Sequence, residues 1–186
     1  ASIEEIRDFE KEYHIVIPEA LMKFLTEVGN GGAGIDYGLY SLEQMRINNK
    51  HLINGSNNGK VIVDYEDIKQ EWNKIIDKID KCNDVASINL SDEERQNNNK
   101  IYEELLGQLL KGFLVIGTAG CTCDYVIICE GEHCGEIAVM DWNLMKDYQP
   151  ILCNNDFETW MCQYFTNIIK GNIIKQYNDL WLVNNK

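Results

Sequence analysis

Proline is almost missing from this chain: Pro18 and Pro150 are the two in 186 residues. That excludes a Pro-rich linker, and with it the simplest mark of a domain boundary. Histidine is scarce too, at three residues, His14, His51 and His133. None stands at helical or strand spacing from another, and each falls in an expected turn or loop. No local Cys/His or Ser/His pair for nucleophilic catalysis results. Long apolar runs are lacking, since nothing approaches the ~18 residues that cross a bilayer. The chain opens on a charged amphipathic pattern rather than the apolar core of a signal peptide, so no membrane partner is expected. Basic residues are fewest in 113–165, which hold eight acids and a single base, Lys146. Nucleic acid is thereby excluded as a direct ligand of that stretch, because phosphate binding needs Lys and Arg.

What is present describes a globular protein. Hydrophobic residues make up 45% of the chain, and its length suits one domain with a sizeable core. Seventeen Lys+Arg against thirty Asp+Glu leave a net charge of −13, most negative in 113–165. Such acidity serves solubility or attracts a basic partner, and both readings stay open. The seven cysteines are odd in number, so reduced thiols in a cytoplasmic protein are the simpler reading. A secreted, disulfide-bonded protein is the alternative.

Periodicity places the elements. Ser2 and Glu5 form a capping box, and Ile3, Ile6, Phe9 and Tyr13 recur as one helical stripe. Pro18 suits the first turn of a second helix, with Leu21, Met22, Phe24, Leu25 and Val28 as its buried face. Gly29, Asn30, Gly31 and Gly32 stop it. Gly38–Tyr40 reads as a short strand, and Ser41 to Gln44 as a capped helical turn. Residues 46–63 are rich in Asn, Gly and Lys and predict a surface loop. Ile68, Trp72, Ile75, Ile76 and Ile79 mark a third helix, with a loop over 82–90. A fourth helix starts at Ser91 and Glu94 and buries Ile101, Tyr102, Leu105, Leu106, Leu109 and Leu110. Strands follow at 113–116, 125–129 and 137–139, the last two joined by a hairpin turn at 131–135. Asn155 or Asp156 caps a last helix carrying Phe157, Trp160, Met161, Tyr164, Phe165 and Ile168, which ends at Gly171. The tail, with Ile173, Ile174, Tyr177, Leu180 and Trp181, reads as a further helical or docked segment. The order predicts an α+β fold: an antiparallel meander of three or more strands plus a short strand near 38–41, with helices packed on one side.

Chemistry-bearing motifs are few. Cys121, Cys123, Cys129 and Cys134 suggest zinc, but an extended strand from 123 to 129 separates those two sulfurs by roughly 20 Å. A tetrahedral site needs every ligand within ~2.3 Å of the metal. No metal and no cofactor are therefore expected. Gly29–Gly34 follows a helix rather than a strand and lacks the Lys-Ser/Thr of a phosphate loop, so it reads as a helix stop and flexible lip. Paired acids such as Glu4-Glu5, Glu93-Glu94 and Glu103-Glu104 read as solvated helix faces. Asp124, where the chain enters a central strand, caps a turn or belongs to a binding face. Tyr37, Tyr40, Tyr125 and Trp142 are either core or interface anchors. No catalytic residue is assigned.

The segments IEEIRDFEKEYHIVIPEALMKFLTEVGNGGAG and GLYSLEQM, then GFLVIGTAGCTCDYVIICEGEHCGEI and FETWM, together resemble the SUKH superfamily. Its members are the fungal cell-wall assembly regulators and many bacterial immunity proteins. The resemblance covers about 1–46 and 112–165, so that 47–111 reads as a helical insertion within a single domain spanning 1–186. It implies a non-enzymatic binding domain with a protein partner, most simply a cytoplasmic antidote that neutralises a toxin. Many such toxins are nucleases, which are basic because they bind phosphates. It also implies Gly32, Gly38, Tyr40, Asp124 and Tyr125 as candidate partner-binding residues. The acidic stretch adds Glu130, Glu136 and Asp141 if the partner is basic. A regulatory scaffold is the alternative, and an enzyme with an unseen active site a further one.

Overall fold

A computed structural model describes residues 1–32, 34–54, 73–74, 77–78, 91–142 and 151–171. The Ser2 hydroxyl accepts from the Glu5 N–H at 3.1 Å, and the Glu5 carboxylate accepts from the Ser2 N–H at 2.7 Å. This reciprocal cap opens α1 (Ile3–Tyr13). Ile6, Phe9 and Tyr13 are buried, whereas Ile3 in the first turn stays 62% exposed. Pro18 is the N-cap of α2 (Glu19–Lys23), and the helix runs on as a single π-turn over Phe24–Val28. The Gly29 N–H reaches back five residues to the Phe24 carbonyl, at 2.9 Å. That wider turn carries the following side chains off the α-helical stripe. Leu21 and Leu25 are buried as expected, but Val28 is 70% exposed.

The glycines that stop this helix fold into a tight hairpin rather than a loose lip. Gly32 and Leu39 exchange backbone hydrogen bonds of 2.9 and 3.0 Å, and the Gly38 N–H closes the turn onto the Ile35 carbonyl at 2.9 Å. Gly38 has φ of +90°, and a Cβ there would lie 2.3 Å from the Gly32 carbonyl oxygen. The chain then enters α3 (Leu42–Asn48), capped by Ser41 and Gln44, and α4 (His51–Asn54). These short helices replace the first part of the surface loop expected from residue 46. Asn-rich composition reads as loop, but Asn49 is fully buried and its amide is used structurally. Residues 55–63 lie outside the described residues. Of the helix expected between Ile68 and Ile79, residues 73–74 and 77–78 are described, and they are helical. Its apolar stripe, the loop at 82–90 and the tail after Gly171 lie outside.

Helix α5 (Asp92–Leu109) starts where expected, with Ser91 and Glu94 bonded reciprocally. Leu105 and Leu110 are buried, while Ile101 is exposed. The sheet is an antiparallel meander of β1 (Phe113–Gly120), β2 (Cys123–Ile128), β3 (Glu136–Asp141) and β4 (Ile151–Asp156), in that spatial order. The first three are the expected strands with longer bounds, and β4 is new. Helix α6 (Phe157–Ile169) follows, with the Asp156 carboxylate accepting from the Thr159 N–H at 2.7 Å. Its Phe157, Trp160 and Met161 are buried, whereas Phe165 and Ile168 are exposed. Successive residues Tyr125–Cys129 are all buried, so the central strand is covered on both faces over that stretch. The architecture is α+β, an antiparallel sheet with helices beside it.

Among the described residues, the outer edge of β1 is closed by pieces rather than by a strand. Leu39 forms a one-residue bridge to Gly117, which is the short strand expected near 38–41. The Tyr40 N–H donates to the Ile116 carbonyl at 2.8 Å. The buried Asn49 amide completes the edge: its Oδ1 accepts from the Val115 N–H at 2.8 Å, and its Nδ2 donates to the Val115 carbonyl at 3.0 Å. The same Nδ2 donates to the Met45 carbonyl at 2.8 Å.

Two outcomes follow for stability. Asn49→Ala leaves both polar groups of Val115 buried and unpaired, and should cost about 2–4 kcal/mol, seen as a lower urea midpoint at unchanged m-value. Gly38→Ala adds a backbone clash to a left-handed φ, whereas Gly32→Ala, also at positive φ, meets open space. Thermal unfolding should show Gly38→Ala losing at least about 2 kcal/mol and Gly32→Ala about 1 kcal/mol.

Candidate functional site

Burial along the strands locates the open end of the sheet. On β1 it falls from full to partial at Thr118–Gly120, on β2 it is partial at Asp124, and on β3 at Asp141. Register brings these points to one end of the sheet, where Thr118 faces Asp124 and Cys123 faces Asp141 across adjacent strands, so that Asp124 and Asp141 lie on opposite faces. Directly opposed residues share a face of the sheet, so Thr118 and Asp124 lie side by side.

Aromatic side chains surround them. Trp142, just past β3, donates its indole N–H to Asp124 Oδ2 at 2.7 Å. Tyr40 is half-buried and shares a hydrogen bond with the Thr118 hydroxyl. Burial raises the pKa of its phenol and the Asp124 charge raises it further, against the opposing effect of the Thr118 bond. The Thr118 hydroxyl itself donates to the Cys123 carbonyl at 3.0 Å, and Thr122 donates to Asp141 Oδ1 at 3.0 Å. The Tyr37 ring is 78% exposed. It lies so close over Gly120 that a Cβ there would come within 2.5 Å of its Cε2. Gly32 and Gly38 shape the hairpin that carries Tyr37 and Tyr40 to this position.

Tyr125 does not belong to this surface. Side chains alternate along a strand, so Tyr125 points to the face opposite Asp124. There it is 1% exposed and packs on Trp160 with ring centroids 5.1 Å apart. Its hydroxyl donates to the Asp36 carboxylate at the hairpin tip, and burial raises its pKa far above the ordinary phenol value, with the Asp36 bond next. It is a core anchor that fixes the hairpin, not a contact residue. Asp36, at φ of +52°, escaped the sequence reading. Its one available sign was Asp in a Gly-flanked turn, where Asp tolerates the left-handed region.

Glu130 and Glu136 are also apart from the cluster. They flank the β2–β3 turn at the far end of the same strands, five steps or more from Asp141 and Asp124, which is roughly 17 Å. Glu136 is engaged locally, 2.9 Å from His133 Nδ1. The eight candidates thus separate into Gly32, Gly38, Tyr40, Asp124 and Asp141 at one end, Glu130 and Glu136 at the other, and Tyr125 in the core. Thr118 and Thr122 join the first group, which had no sequence signature for them.

Among the described residues no group of three or more His, Cys, Asp or Glu side chains is placed to hold a metal ion, and the six described cysteines are free thiols. Among the described residues, too, no helix is long and apolar enough to cross a membrane. A groove of about 390 Å³ beside α6, lined by residues including Cys162 and Gln163, contains none of the candidates.

Two buried thiols make stability pH-dependent. Burial pushes Cys153 up to about 12 and Cys129 well above its usual value. The unfolded chain ionises thiols near ~8.5, so above that pH the folded state holds the extra protons and stability falls until the folded values are passed. The unfolding free energy from urea titrations should decline between pH 9 and 11 with a slope of at most about 1.4 kcal/mol per pH unit per thiol. Cys153→Ala should flatten that slope whatever it does to stability at pH 7.

Comparison with known proteins finds no match among curated proteins or among solved structures. Residues 1–163 match a family of protein-interaction domains. The matched span contains the glycine hairpin, the four strands and the buried half of α6, the parts that build the open sheet end. In agreement with the resemblance carried by the order of its motifs, the chain belongs to the SMI1/KNR4 family (SUKH-1).

Proposed function

We propose that this chain is a non-enzymatic protein-binding domain of the immunity type, which holds a basic toxin at the open end of its sheet and neutralises it. One observation carries the reading. Tyr40 and Trp142 border Asp124, with Asp141 and the exposed Tyr37 at the same end of the sheet, while residues 113–142 contain no Lys or Arg. Aromatic rings supply contact area at small entropic cost. An acidic stretch that carries no Lys or Arg speeds encounter with a basic protein and disfavours acidic ones. A toxin that cuts nucleic acid is such a protein, because it must itself bind phosphate. The family supports protein interaction, and toxin neutralisation in the cytoplasm is the form of it that fits this charge pattern. On this reading residues 47–111 are an insertion within one domain.

The test is co-expression with the protein encoded beside this chain. The expected result is a stable complex and restored growth of cells producing that neighbour. Asp124→Asn with Asp141→Asn should weaken the complex at least tenfold and flatten its salt dependence, while Glu130→Gln with Glu136→Gln leaves both unchanged. A complex indifferent to the first pair would overturn the proposed surface. A complex without growth rescue would favour a regulatory scaffold.

A further inference from the structure

The open sheet end carries more detail than a general attraction for positive charge. Asp124 has one carboxylate oxygen, Oδ2, occupied by the Trp142 indole N–H at 2.7 Å. Among the described residues nothing donates to the other oxygen, Oδ1, and no cation pairs with the group. The carboxylate is half-buried, so part of its hydration is already lost. It is also held still, since the indole fixes one oxygen and the β1–β2 register fixes the backbone. Tyr40 and Trp142 border it, and Tyr37 stands exposed at the same end of the sheet, over Gly120. A divalent cation does not suit this place, since the described residues offer no three-ligand group.

We propose that this end is a seat for one guanidinium group, an arginine side chain of the protein partner, which bonds Asp124 Oδ1 and stacks on the neighbouring rings. The inference rests on the protein-binding reading given above. The preference for arginine over lysine is physical. A guanidinium is planar, lies flat on an aromatic ring while donating at its edge, and is more weakly hydrated than an ammonium. A half-buried, pre-positioned carboxylate gains most from a donor that loses little hydration on entry.

The experiment follows the Trp142 indole N–H by NMR in the full chain while N-acetylarginine amide is added, with the lysine and citrulline amides as parallel probes. The expected result is a saturable shift with an arginine Kd on the order of millimolar. Lysine should bind several-fold more weakly and citrulline not at all. Asp124→Asn, which keeps an acceptor for the indole, should abolish the arginine shift. No saturable shift at tens of millimolar arginine, an equal response to citrulline, or undiminished binding to Asp124→Asn would each overturn the seat. A protein partner that binds while the arginine probe is silent removes the seat and leaves the protein-binding reading intact. Arginine binding with no protein partner found does the reverse. A partner that binds Asp124→Asn at full affinity shows that its arginine does not enter here, and so overturns the seat as well.

Discussion

The strandless backbone edge of β1 is the constraint on which the rest of the structure turns. A buried strand edge must satisfy its N–H and C=O groups, and among the described residues no full strand lies along this one. The hairpin residues Leu39 and Tyr40 cover Ile116 and Gly117, and the Asn49 amide covers both polar groups of Val115. One side chain thus replaces one rung of a ladder. In doing so it locks the α3–α4 turn to the sheet, because the same amide also donates to Met45. The position of the glycine hairpin, and therefore of Tyr37 and Tyr40, is set by this closure.

The candidate surface is a by-product of the same arrangement. The hairpin is pinned to β1 on its backbone and to β2 through the bond between Tyr125 and Asp36. With its ends fixed on two strands, it projects its two tyrosines over the end of the sheet where burial falls away. Asp124 and Trp142 meet there because register sets β2 beside the end of β3. Fixed rings and a fixed carboxylate lose little freedom when a partner binds, which is the main route by which a small surface gains affinity.

Several parts were legible in the chain because local chemistry decides them. The capping boxes at Ser2, Ser41 and Ser91, the glycine stop after Val28 and the cap at Asp156 all form as their sequences indicate. So do the apolar strands at 113, 125 and 137. Other parts were not. Val28 left its stripe because a π-turn, which has no composition signal, widened the helix. Strand β4 carries Asn154, Asn155 and Asp156 in six residues and pairs only because β3 presents an open edge to it. Asn49 sits in a stretch whose composition says loop. Tyr125 is next to Asp124 in sequence and on the opposite face of the sheet, and Glu130, just past β2, and Glu136, at the start of β3, lie at its other end.

By itself the sequence determined the fold class, the family resemblance, the acidic character of residues 113–165 and the shortage of catalytic motifs, because these follow from periodicity, capping and charge. Only the tertiary structure decided which of the acids and aromatics stand together. Strand alternation and register assign each side chain to a face and an end, and both depend on pairings between residues distant in the chain. That is why Tyr40, Asp124 and Trp142 come together, while Asp141 falls on the opposite face at the same end of the sheet and Tyr125 became part of the core.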